Sequence, residues 1–175
     1  GGSLTGAGGY STTLGADTGN TNVFSYYKVA AGGESGGAPL VFTTNNVGWA
    51  QMYRYTKSSG TWDLAATTGS DITGDATVSI AMSANPGVTT GDHILGAMVI
   101  PTDITTPSQF TVEALTQTGV TFGTVTEVSE PDTAVGNDMG GFVVRSSVSS
   151  GTGSANPTMT ATAAATFTNV RGPGL

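Results

Sequence analysis

The sequence predicts an all-β fold: an antiparallel β-sandwich, jelly-roll-like, with roughly ten short strands and little or no helix. Three observations carry this. Apolar and polar residues alternate in short runs, which is the period of a strand with one buried face. Glycine (27 residues) and threonine dominate the composition, while charged residues are only 10%. Threonine suits a pleated surface through its branched Cβ, and glycine supplies turns. Helical signals are nearly absent. Gly or Pro interrupts most windows, and the one capping-box spacing, Thr106 and Gln109 around Pro107, leads into Phe110–Leu115, which alternates as a strand does.

Taken along the chain, residues 1–20 are expected to be irregular because glycine crowds them. Residues 21–175 are expected to form one sandwich domain. Strands are expected near Val23–Val29, Pro39–Thr43, Trp49–Thr56, Thr61–Ala65, Ala76–Met82, His93–Ile100, Phe110–Leu115, Val120–Val128, Gly141–Val148, Pro157–Ala163 and Thr166–Val170. The turns between them are marked by Gly32–Gly33, Gly36–Gly37, Ser59–Gly60, Asn85–Pro86–Gly87 and Ser150–Gly151. Lys28 and Arg54 enclose a Gly-rich turn and then a Pro, and Arg145 and Arg171 do the same at equal separation. That pattern raises two weakly related halves, closed by Tyr53–Arg54–Tyr55 and Asn169–Val170–Arg171.

Charge narrows the partners. The net charge is −7 with five basic residues. Phosphate-binding surfaces need clustered Lys and Arg, so nucleic acid and anionic membranes are not expected partners. No apolar run reaches the ~20 residues that cross a bilayer as a helix. There is no cysteine, which removes disulfides and thiol chemistry.

Candidate sites are few. His93 is the single histidine; a Ser–His–Asp triad would need it, with Asp92 as orienter, but no Gly-x-Ser-x-Gly elbow accompanies it. It is read as a residue at the start of a strand. Asp63, Asp71 and Asp75 could offer oxygens to a hard cation, yet lack the ligand ladder of a calcium loop; they are read as a solvated turn. Glu127 and Glu130 could pair as glycosidase carboxylates, and are read as surface acids beside Pro131. No catalytic residue, cofactor or metal is therefore expected. Trp49, Tyr53, Tyr55 and Trp62 form the aromatic cluster. On a strand, Trp49, Gln51, Tyr53 and Tyr55 share one face and Ala50, Met52 and Arg54 the other. Such rings serve as core, as a protein interface or as a sugar-stacking platform.

Tyr26–Tyr27–Lys28 before a Gly-rich turn, Gly91–Asp92–His93–Ile94–Leu95, and Val143–Val144–Arg145 before Ser149–Ser150–Gly151 together resemble β-sandwich domains of tailed-bacteriophage virion proteins: capsid decoration proteins, head fibres and tail-associated modules. The resemblance covers about residues 20–171 and transfers no catalytic residue. It implies a non-enzymatic structural protein at the virion surface that binds other virion proteins and copies of itself. The alternative expectation is a carbohydrate-binding module or adhesin domain at a bacterial cell surface. A glycan-cleaving enzyme is the third.

Overall fold

The structure is a computed structural model, and it describes residues 4–7, 11–18, 21–33, 40–42, 49–100, 109–133, 139–167 and 170–174. Among them it is all-β and antiparallel, with no helix. The strands in chain order are β1 (Leu4–Ala7), β2 (Ser11–Thr18), β3 (Thr21–Tyr27), β4 (Leu40–Phe42), β5 (Thr67–Asp71), β6 (Asp75–Met82), β7 (His93–Ile100), β8 (Phe110–Thr116), β9 (Val120–Phe122), β10 (Thr126–Ser129), β11 (Asp132–Thr133), β12 (Met139–Gly151), β13 (Thr158–Phe167) and β14 (Val170–Gly174).

One sheet runs in the order β10-β12-β7-β14-β5-β6-β13-β8, with β9 and β11 also paired to β12. Both layers of the sandwich come from this single sheet, bent upon itself. Its ladder is thin where β14 meets β7, with Cα partners at Arg171↔Val99 and Gly174↔Gly96. β14 reads Val-Arg-Gly-Pro-Gly there. Pro173 has no N–H to give a neighbour, and the flanking glycines bend readily. This sequence suits a strand that joins two layers of a bent sheet.

Bending brings β7 and β12 over β6, β13 and β8. The core between them holds Val78, Ile80, Met82, Met98, Ile100, Phe110, Leu115, Phe142, Val144, Met159, Ala161 and Ala163. Alternation decides this membership: Val78, Ile80 and Met82 are successive inward positions of β6, as Phe142 and Val144 are of β12. Phe110 and Phe142 meet at 4.9 Å with rings tilted by 57°, one from each layer. Gly96 of β7 leaves the hollow that Met159 fills, since a Cβ there would lie 2.9 Å from its sulfur.

The outer face of β7 and β12 is covered too. Val99 and Val143 are buried outside the main cluster. The β2–β3 hairpin, paired from Ser11↔Tyr27 to Thr18↔Thr21 with a register shift between Thr12 and Leu14, packs its β3 strand against β14 and β7, and Val23 of β3 is buried.

Several expectations need correction. Residues 1–20, expected to be irregular, contain β1 and β2, because the alternation of Ser11–Thr18 pairs with β3 despite its glycine. Trp49–Thr56 and Thr61–Ala65, expected as strands, form no ladder. Thr67–Asp71, read as a loop, is β5 in the centre of the sheet. The two halves do not correspond, since Tyr53–Arg54–Tyr55 lies outside any strand whereas Arg171 lies in β14.

Among the described residues, one non-glycine backbone is left-handed. Val112 of β8 has φ of 57°, a left-handed conformation that a β-branched side chain resists. It sits in a bulge: Thr160 and Thr162 of β13 face Ala114 and Thr111, so Val112 and Glu113 together oppose one residue.

Candidate functional site

The aromatic cluster sits on an extended segment, residues 49–66, that crosses the outer face of the sheet instead of joining its edge. Ser129 of β10 anchors it, donating its hydroxyl to Gln51 Oε1 at 2.5 Å, with the Tyr53 hydroxyl 3.5 Å away. Further on, the Tyr55 ring lies 6.4 Å from that of His93 at the start of β7. Burial pushes the Tyr55 phenol up, Tyr53 adds to this, and the Arg145 charge on β12 opposes it. Gln51, Tyr53 and Tyr55 thus all reach the sheet. Met52, at 70% exposure, and the exposed Arg54 face away.

The sequence alternation is therefore real, although no ladder forms. The segment forms no ladder with the sheet, and the contacts that hold it to β10 and β7 come from the side chains of Gln51, Tyr53 and Tyr55. Beyond Thr56 the chain reverses at Ser58–Ser59–Gly60. Gly60 takes φ of +82°, and Lys57 Nζ donates across the turn to the Thr61 carbonyl at 2.6 Å. That ammonium also lies 5.9 Å from the Trp62 ring centroid, in cation–π range. Tyr55, Trp62 and Leu64 remain between 43% and 48% exposed, while Trp49 and Tyr53 are half-buried. Of the four aromatics, Tyr53 and Tyr55 are thus brought onto the sheet and Trp62 is held outward.

The other candidates have structural partners. Asp92 Oδ2 accepts from the Thr89 amide at 2.8 Å and from its hydroxyl at 3.3 Å, closing the turn before β7. His93 faces Tyr55. Asp71 is buried; its Oδ1 accepts from the Thr73 amide and hydroxyl and its Oδ2 from the Ser79 amide at 2.7 Å. Burial alone would raise its pKa, but these hydrogen bonds outweigh it and hold the carboxylate below its ordinary range. Asp71 is thus the internal brace of the β5–β6 hairpin. Asp63 is exposed on the 49–66 segment, and the side chain of Asp75 lies outside the described ones.

Glu127 and Glu130 do come together, joined by a residue that sequence reasoning missed. Glu113 of β8 meets them, and carboxylate oxygens of the three lie within 4.8 Å of one another. Desolvation first, then the Glu130 and Glu113 charges and a hydrogen bond with Glu113, push Glu127 up to about 7. Glu130 Oε1 accepts the Phe110 amide at 2.8 Å. Such surroundings favour a proton on Glu127. The trio is also a group whose donors could converge on one cation. Only tertiary placement could have revealed Glu113, because the bulge at Val112 turns it toward β10.

An amide network joining buried Gln117 to exposed Asn85 was equally silent in sequence. Gln117 Nε2 donates to Asn85 Oδ1 at 2.9 Å and to the Ala155 carbonyl at 2.6 Å. Asn85 Oδ1 also accepts the Gly87 amide, and Asn85 Nδ2 donates to the Gly153 carbonyl. Gly87 N–H can only donate, so it fixes the Asn85 orientation and through it that of Gln117. A narrow cavity nearby is lined by Met82, Val88, Ile94, Leu115, Phe122 and Met159 among others, and its walls carry no titratable side chain. Comparison of the chain with protein-family models, with curated proteins and with solved structures returns no match.

Proposed function

We propose that this chain is a non-enzymatic structural module of a virion, a capsid decoration or fibre component of a bacteriophage, that binds neighbouring virion proteins and copies of itself at the particle surface. One observation carries the reading: the 49–66 segment is held against the sheet by Gln51, Tyr53 and Tyr55, yet presents Met52, Trp62 and Leu64 outward. Clustered exposed apolar side chains on a monomer mark a protein contact. Arg54 and Lys57 on the same segment suit an acidic neighbour, and the chain itself carries a net charge of −7. The sandwich beneath supplies a rigid support. A jelly-roll relationship to phage sandwich domains belongs to the same proposal.

A second reading, the carbohydrate-binding module, draws on the exposure of Trp62 and Tyr55, since exposed rings stack on sugars. Lys57 near the Trp62 ring favours the protein contact, because it competes for a ring face a sugar would need.

The Trp62→Ser/Leu64→Ser double variant tests the choice. Sedimentation of the purified protein should show self-association or attachment to a capsid lattice, which the double variant loses while its melting temperature moves by only a few degrees. A monomer that binds neither lattice nor itself, and whose glycan binding the variant abolishes, would transfer the function to the sugar platform.

A further inference from the structure

The bent sheet has two ends. β10 terminates its strand order on one side and β8 on the other. A barrel would join such ends by a ladder; here β8 pairs with β13 and β10 with β12. What spans the seam is the bond from the Phe110 amide to Glu130 Oε1 and the meeting of Glu113 with Glu127 and Glu130. Phe110 is buried, and its ring packs on Phe142, so the seam lies directly over the core.

We propose that this seam is a pH-operated clasp: a proton on Glu127, where it faces Glu113 and Glu130, keeps the two ends of the sheet together, and its loss lets β8 part from β10 and uncovers Phe110. The groups facing Glu127 explain why. From β8 it meets Glu113 and from the end of β10 it meets Glu130, both acids. Arg145 of β12 pairs with Thr126, whereas Glu127 pairs with Val144, so the guanidinium leaves from the opposite face of the sheet. The Tyr53 phenol reaches Ser129, between the two acids in sequence. Among the described residues, the causes acting on Glu127 are burial and the two neighbouring acids, and none is a cation. Full ionisation therefore sets like charges against one another beside the Phe110–Glu130 bond that crosses between the edges.

The sign follows from the proton affinity. Glu127 is raised from 4.5 to about 7, so the folded chain holds this proton more tightly than the unfolded chain does. Its contribution is complete below about pH 4.5 and is lost as the pH rises through about 7. The strained backbone at Val112, next to Glu113, relaxes in the same opening.

Amide hydrogen exchange tests the clasp, corrected for intrinsic rates, at about pH 5.5 and about pH 8. The Phe110 amide should lose roughly tenfold protection at the higher pH, while the Ser79 amide in the β6–β13 layer keeps its own. In Glu127→Gln and in Glu113→Gln, the Phe110 protection should no longer depend on pH. Unchanged Phe110 protection in the native chain, an equal loss at Ser79, or the same pH dependence in folded Gln variants would each overturn the proposal. Should both variants fail to fold, the contrast between Phe110 and Ser79 in the native chain decides alone.

Discussion

The β12 strand and the 49–66 segment carry the same kind of sequence and meet different ends. Both alternate. In β12, Phe142 and Val144 turn inward, and the backbone between them is paired on both sides, to β7 and to β10. In the segment, Gln51, Tyr53 and Tyr55 turn toward the sheet, but the backbone pairs with nothing in a ladder. Period-two alternation thus encodes which side chains are covered. Whether a strand forms depends on whether an unpaired edge is within reach, which is a property of the whole fold. The segment reaches β10 and β7 through its side chains and forms no ladder with either.

The comparison can be sharpened by truncating each region. Phe142→Ala removes a fully buried ring against Phe110 and should cost about 3–5 kcal/mol in urea unfolding. A cost near that of a surface residue would show that the two layers are less closely packed than the core residues indicate.

Asp71→Asn should cost about 1–3 kcal/mol, because one amide nitrogen must replace an oxygen opposite the Thr73 or Ser79 donors. The native carboxylate, held below 3.8, contributes stability that is present above that pH and fades as the pH falls through its lowered value. Acid titration of the melting temperature should therefore flatten in the variant. This dependence runs opposite to that of Glu127, so stability should peak in mildly acidic solution.

The smallest effect belongs to the crossing segment. Trypsin should cut first after Arg54 or Lys57, and the nicked chain should stay folded, melting within a few degrees of the intact one, because no sheet pairing runs through residues 49–66. Prior cleavage after Arg145 would invert the order of the two regions.

Much of this was legible in the residues. The all-β class follows from alternation and turn glycines, and β6, β7, β8 and β13 lie within a residue or a few of the expected runs. The aromatic cluster was recognised, together with the face that Gln51, Tyr53 and Tyr55 share. Three things were not legible. Thr67–Asp71 reads as a polar turn, because its strand character comes from neighbours on both sides and from the carboxylate that Thr73 and Ser79 enclose. Glu113 looks like an ordinary outward position until a bulge redirects it. The Asn85–Gln117 pair joins residues distant in sequence, and two amides carry no local signal that they will meet.

The bulge at Val112 also governs how the molecule can pack with others. β8 is an outermost strand of the sheet, the kind of border along which chains stack into fibres. With one residue kinked left-handed and a valine 76% exposed at the kink, the row of amides and carbonyls is broken partway along. An incoming strand could register with only part of that border before losing step. The kink thus denies copies of the chain a continuous border on which runaway cross-β growth could proceed.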